Sequence, residues 1–368
     1  MREGEEPRAE ILRFIRRGAA DDEIAFRHLA LSVFEFQFAE NEPYRRFCER
    51  RGVSAGSLSD PFEIPAVPTA AFKEAALICG GPENAEIAFR TSGTTQGPER
   101  RGTHYVRDPK LYEAAAISSF RRFVVPEVSR IRVVILGPGP QLAPDSSLTW
   151  MLERIRREFG TAGSGFYVDE DGLMTEALLG VLAASEQEGQ AIALLGTAAA
   201  FAHLIEFLGG RGQHFRLPPG SRAMETGGFK GLRREIPRDE FYAALTRTFG
   251  LSEFYCVAEY GMTELCSQFY DNVLRERSLG RSPELRFKVA PRWVRTRVVD
   301  AETLEPLPYG AVGVLRHYDL ANLYSVMAIQ TDDLGVAVDG GFEILGRATG
   351  SELRGCSIAM DQWLTAQR

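Results

Sequence analysis

Between Ile131 and Leu208 the chain twice passes from a short apolar run into a helical pattern, and that order leaves few folds open. Ile131-Arg132-Val133-Val134-Ile135-Leu136 has strand character and stops at the Gly137-Pro138-Gly139-Pro140 turn. Ser146 to Phe159 then reads as a helix, and Leu178, Val181 and Leu182 mark a second one. Ala191 to Leu195 is a short buried strand, and Ala198 to Leu208 returns to helical spacing. Parallel strands cannot be joined by tight turns and need crossovers, so this alternation predicts a parallel sheet covered by helices.

The flanking regions differ. Ile11, Leu12 and Ile15 sit at helical spacing, and Ile24 to Phe38 is periodic up to the Asn41-Glu42-Pro43 break, so residues 1–85 read as a mostly helical region. Pro65 and Pro68 make the passage before Ala70-Ala71-Phe72-Lys73 extended, and a short helix is expected to follow. Residues 86–275 form the expected α/β core. Over 276–345, Phe287 to Val289, Val294 to Val299, Gly310 to Leu315, Tyr324 to Ile329 and Gly341 to Leu345 alternate in the strand manner, with turns expected at Gly335 and Asp339-Gly340-Gly341. That is a β-rich lobe, a small barrel being one form it can take. Residues 346–368 remain as a terminal stub. A chain of 368 residues is longer than one core usually organises, which agrees with several subdomains.

Composition narrows the function. The net charge of −7 argues against a nucleic-acid partner, since phosphate backbones select basic surfaces. The richest apolar stretch, Ala191 to Ala202, is interrupted by Gly196 and Thr197 and is too short for a membrane span. The charged N-terminus lacks a signal-peptide core, so a cytoplasmic location is expected. Five cysteines without CxxC spacing and five scattered histidines offer neither a disulfide framework nor a zinc site.

Four segments carry chemistry. Thr91-Ser92-Gly93-Thr94-Thr95-Gln96-Gly97 sets four hydroxyls and two glycines in seven positions. Backbone N–H groups exposed at glycine, together with hydroxyl donors, suit an anion such as a phosphate, although composition alone is equally that of a solvated loop. In Met224-Glu225-Thr226-Gly227-Gly228-Phe229-Lys230-Gly231 the paired glycines admit either a flat ligand against bare backbone or a tight turn at positive φ. Glu259-Tyr260-Gly261-Met262-Thr263-Glu264 follows an apolar strand expected over Phe254 to Val257. There a carboxylate can hold a divalent cation on a phosphate ligand, and Tyr260 offers a face for a base; taken alone, Glu264 reads as a surface carboxylate rather than a metal ligand. Thr331-Asp332-Asp333-Leu334-Gly335, with Gly346-Arg347 after it, is a turn whose acidic side chain can bind ribose hydroxyls or merely form the turn.

In this order the four segments resemble the motifs of the adenylate-forming ligases. A closer resemblance is to the acyl-protein synthetases of the LuxE type, carried by Pro68 to Lys73, Thr91 to Thr95, Met224 to Gly231, Glu259 to Gln268, Thr331 to Gly335 and Arg354-Gly355-Cys356-Ser357. The resemblance implies an α/β fold corresponding to the large N-terminal domain of those ligases, with the small C-terminal domain absent or reduced to a stub. It implies activation of a carboxylic acid, a fatty acid above all, by ATP and Mg²⁺ to an acyl-adenylate, then transfer to a thiol and supply of an acyl reductase partner. By the same resemblance Thr91, Ser92, Gly93, Thr94 and Thr95 hold the phosphates. Gly227 and Gly228 line the adenine and acyl group with Tyr260 against the base. Thr263 contacts the α-phosphate, Glu264 holds the metal, Asp333 binds the ribose, and Arg347 steadies the ribose or phosphate.

The chain also departs from that pattern. Where the phosphate loop of the superfamily carries a lysine after the proline, Pro98 is followed by Glu99, Arg100 and Arg101, and Thr349 stands at the hinge aspartate. No swinging domain is expected to deliver a catalytic lysine, which leaves Lys230 or a partner's residue to supply that charge. Cys356, in a basic setting, is the candidate acyl acceptor, against the common use of cysteine as a small buried hydrophobe. Cys256 and Cys266 read as core positions. His104 draws attention only by its closeness to the phosphate loop. The alternatives are a CoA ligase resembling phenylacetate-CoA ligases and a non-catalytic nucleotide-fold subunit of a reductase complex.

Overall fold

The computed structural model describes residues 7–19, 21–91, 101–227, 237–348, 360 and 363–367. The chain divides into two compact units, one made of residues 1–118, 262–268 and 287–368, the other of 119–261 and 269–286.

The second unit contains the expected parallel sheet. Strand Arg132–Pro138 has Gly165–Asp169 on one side and Ile192–Thr197 on the other, and Arg222–Thr226 and Cys256–Tyr260 continue the parallel row. Phe269–Asp271 then closes on Cys256–Tyr260 antiparallel. The predicted strand over Phe254 to Val257 is displaced: Glu253–Tyr255 is a 3₁₀ turn, and pairing starts at Cys256. Helix Ser147–Phe159 begins where Ser146 caps it, its side chain accepting from Thr149 N at 3.2 Å. Helices Thr175–Glu188 and Arg238–Phe249 end at Gly189 and Gly250, whose φ values of 66° and 69° are the left-handed stop that glycine takes without strain. Alternate strand residues Val134, Leu136, Ile192 and Leu194 pack with Leu178, Leu182, Phe201, Leu204 and Leu245 in one core. A leucine buried as fully as Leu194 contributes about 2 kcal/mol.

In the first unit, helix Asp22–Glu40 starts at Asp21, whose side chain accepts from Glu23 N and Ile24 N. Its buried face presents Phe26, Leu29, Val33, Phe34 and one polar residue, Gln37. Helix Glu42–Arg50 follows from the Asn41 cap, with Pro43 in its first turn. Trp363 packs on this helix with its ring 5.3 Å from Phe47, and Gln367 Nε2 donates to Pro43 O at 2.9 Å. The expected short helix after Pro68 is the 3₁₀ segment Thr69–Lys73.

The β-rich part is an antiparallel row in the order Val294–Val299, Val312–Asp319, Ala328–Val338, Gly341–Arg347, Lys288–Val289. Among the described residues no pairing joins its first strand to its last, so it is not a closed barrel. Val67–Pro68 adds to Ala328–Val338 in parallel, and Ile87–Arg90 pairs with Thr103–Val106 as a separate hairpin. The segment Thr331 to Gly335, predicted as a turn, lies inside strand Ala328–Val338, and the irregularity there is a register shift between Leu334 and Gly335. A Cβ at Gly335 would stand 2.6 Å from Glu343 O and 2.7 Å from Leu315 Cδ2, so strand approach demands the glycine. No helix among the described residues is long and apolar enough to cross a membrane.

Candidate active site

Of the residues singled out in the sequence, Thr91, Thr263, Glu264, Asp333 and Arg347 lie in the first unit, and Gly227 and Tyr260 in the second. Ser92, Gly93, Thr94, Thr95, Gly228, Lys230 and Cys356 lie outside the described residues.

In the first unit, Asp333 and Arg347 are registered opposite one another on neighbouring strands, and Arg347 Nε donates to Asp333 Oδ1 at 3.2 Å. Glu264 lies within electrostatic reach of this pair. Its carboxyl group is pushed up to about 7, first by burial and then by Asp333, while Arg347 and Lys73 pull it the other way. Glu264 thus feels one other carboxylate, Asp333, and two cations, Arg347 and Lys73, within the same unit. Lys73, at the end of Ala70-Ala71-Phe72-Lys73, was not assigned a role from the sequence.

The backbone of Thr263 and Glu264 is held from beneath. His104, on strand Thr103–Val106, is buried and places Nδ1 2.6 Å from Thr263 O. Burial lowers its pKa to about 4, so the ring is neutral near pH 7. Asn322 Nδ2 donates to Glu264 O at 2.8 Å. Further along, Asp319 accepts from Cys266 N at 3.1 Å and from Ser267 Oγ at 2.7 Å. Burial raises the Asp319 carboxyl to about 6. Asp319 and Asn322 are near neighbours while His104 lies far from them along the chain, and the sequence signals were His104's closeness to the Ser/Thr/Gly segment and a polar residue set in the apolar run Leu320-Ala321-Asn322-Leu323.

Thr91 stands at the foot of the Ser/Thr/Gly segment. Its N–H donates to Gly102 O at 3.0 Å, and its Oγ1 accepts from Gly102 N at 2.9 Å. The residues on either side of 92–100 are thus tied together at their base, and the Thr91 hydroxyl keeps its own proton to donate.

In the second unit, Thr226 and Glu259 are paired on adjacent parallel strands, the Thr226 hydroxyl donating to the Glu259 carboxylate. Gly227 and Tyr260 each follow a member of that pair, so they emerge side by side at the carboxyl ends, where open parallel sheets bind ligands. Gly227 has φ 82°, a conformation that favours glycine, and among the described residues nothing lies within 4 Å of the place a Cβ would take. The Tyr260 ring lies 5.6 Å from that of Phe269 at 37°.

Four cysteines, Cys48, Cys79, Cys256 and Cys266, are buried thiols outside any disulfide. Burial pushes the Cys48 and Cys256 thiols up to about 12 and that of Cys266 well above its usual value. The expectation of core positions for Cys256 and Cys266 holds. None of these three thiols ionises at neutral pH.

Solved structures of 2-hydroxyisobutyryl-CoA ligase share the fold: the open conformation in complex with 2-HIB-AMP and CoA superposes with a TM-score of 0.64 at 16% identity, covering 92% of this chain and 79% of that one. The postadenylation state with R3-HIB-AMP gives 0.64 at 16% identity, over 91% of this chain and 69% of that one. At the level of sequence, the long-chain-fatty-acid–luciferin-component ligase of Vibrio harveyi is 26% identical over 364 residues, 92% of this chain and 88% of the relative. The ligase of the same name from Aliivibrio fischeri is 24% identical over 348 residues, 90% of this chain and 86% of the relative. The family described as acyl-protein synthetase, LuxE, matches residues 17–365. A match running through nearly every described element settles the assignment: the chain belongs to the LuxE family of acyl-protein synthetases.

Proposed function

We propose that this protein joins a fatty carboxylic acid to ATP, giving an acyl-adenylate and pyrophosphate, and passes the acyl group to a protein thiol. The observation that carries the proposal is the grouping of Glu264, Asp333, Arg347 and Lys73 within one unit of a LuxE-family chain. A carboxylate attacking an anionic phosphorus needs cations to offset charge and fixed geometry, with little covalent help from the protein.

In this reading Asp333 accepts from the ribose hydroxyls and Arg347 braces it. Lys73 stands in for the phosphate-loop lysine that Glu99 replaces, and Lys230 remains the other candidate cation. Thr91, Ser92, Gly93, Thr94 and Thr95 bind phosphate oxygens, Thr263 meets the α-phosphate, and Gly227, Gly228 and Tyr260 flank the base and acyl group. Mg²⁺ is ordinarily held by one or two carboxylates together with substrate phosphates, a chemistry that a single carboxylate such as Glu264 suits. Glu264 is the carboxylate we assign to that role, and the ion when bound would neutralise phosphate charge.

The acyl carbon of the adenylate is then attacked by a thiolate sulfur. The new C–S bond forms as the C–O bond to AMP breaks, and AMP leaves. The four described cysteines are buried, which points to Cys356 as the acceptor within this chain, with a thiol-bearing acyl reductase as the onward partner. The test is carboxylate-dependent exchange of pyrophosphate into ATP across a panel of fatty and aromatic acids. Absence of exchange with every acid refutes the proposal. A hydroxylamine-labile acyl group that persists in Cys356→Ser removes that residue from the pathway, and consumption of CoA in place of a protein thiol redirects the second step.

A further inference from the structure

We propose that His104 and Asn322 are positioning residues that hold the peptide carrying Glu264 by two successive carbonyl oxygens, and so set where its carboxylate meets a metal–nucleotide ligand. The inference rests on the metal-holding role of Glu264 given above.

His104 Nδ1 lies 2.6 Å from Thr263 O. A carbonyl oxygen only accepts, so Nδ1 carries the proton. The ring is only 2% exposed and is fixed edge-on by Phe72, with centroids 5.6 Å apart. The next carbonyl, that of Glu264, accepts from Asn322 Nδ2 at 2.8 Å, and the same amide nitrogen donates to Val326 O at 3.0 Å. Both protons of the Asn322 amide are thereby engaged, which fixes its orientation.

The Asn322 side chain also hydrogen-bonds with the buried His104 ring, so the two residues support one another behind the Glu264 peptide. Groups behind a metal ligand commonly change metal affinity when removed, because a carboxylate slightly out of place loses its ion.

The experiment compares His104→Leu, which fills the space without a donor, with His104→Asn, whose side-chain N–H can replace that of Nδ1. Mn²⁺ is titrated by electron paramagnetic resonance in the presence of an ATP analogue with a methylene α–β bridge, so the readout does not need turnover. His104→Leu is expected to weaken Mn²⁺ binding about tenfold to a hundredfold, with His104→Asn restoring most of it and thermal unfolding alike in the two variants. Equal Mn²⁺ affinity in His104→Leu and the parent overturns the inference, as does equal weakening in both variants. No Mn²⁺–nucleotide binding in the parent refutes the metal role of Glu264 and the inference with it. Binding in the parent without any pyrophosphate exchange counts against the proposed reaction alone. Independently of folding in the variants, imidazole ¹⁵N shifts of the parent must show the Nδ1–H tautomer at His104; the Nε2–H tautomer overturns the inference.

Discussion

Asp333 and Arg347 face each other across an antiparallel register, Nε 3.2 Å from Oδ1, with the carboxylate side chain 15% exposed and the guanidinium 50%. A pair this open to water contributes at most about 1 kcal/mol to folding. Its proposed use is in binding. Arg347→Ala should leave the unfolding midpoint nearly unchanged while raising the KM for ATP about tenfold or more, the loss expected for a charge-assisted hydrogen bond. Steady-state exchange kinetics beside a thermal melt check both halves.

Glu264 gives the protein a pH signature. Its folded carboxyl titrates near 7, against an ordinary value of 4.5. Between those values the folded state binds a proton that the unfolded state has released, so this group's contribution to stability falls as pH rises from about 4.5 to about 7. Glu264→Gln should flatten that part of the profile and be relatively more stable than the parent at pH 8 than at pH 5. The same titration predicts that Mg²⁺–ATP binds more tightly as pH climbs through 7 and releases up to one proton. Calorimetry in buffers of different ionisation enthalpy measures that release.

Asp271 should be the costliest single change in the second unit. It is fully buried and accepts from Arg286 at 2.7 Å, from Ala258 N at 3.0 Å and from Arg238 at 3.3 Å. Asp271→Ala leaves Arg286 and a strand N–H without their acceptor and is expected to cost about 3–5 kcal/mol. The midpoint of urea unfolding reads this directly.

The buried thiols predict a labelling pattern. Iodoacetamide applied to the native protein at pH 8 should leave Cys48, Cys79, Cys256 and Cys266 unmodified, since all four are buried. Peptide mapping should place any label on Cys356. Modification of Cys48 or Cys256 before unfolding would contradict their burial.

Regular elements were legible where one physical cause decides them. Val294–Val299 alternates as a strand and is one, and Ser146 caps the helix that its position suggested. Thr331 to Gly335 misled because Asp-Asp-Leu-Gly has turn composition; Gly335 is there to admit Glu343 O and Leu315, which only the paired strands reveal. The proposed site divides in the same way. Thr263, Glu264, Asp333 and Arg347 were nominated from ordered motifs. Lys73, His104 and Asn322 were given no role, because their partners lie far away along the chain and the local signals, such as a polar residue in an apolar run, are weak.

Gln37 carries a consequence for anyone recutting this polypeptide. From the middle of helix Asp22–Glu40 its amide donates to Asn322 O and Leu323 O, both at 2.9 Å, and accepts from Met327 N at 3.0 Å. The opening helices therefore brace the loop from which Asn322 reaches Glu264. Trimming the gene to a version that starts past Glu40, in the hope of a minimal catalyst, would strip three hydrogen bonds from that loop and loosen a peptide more than two hundred positions downstream.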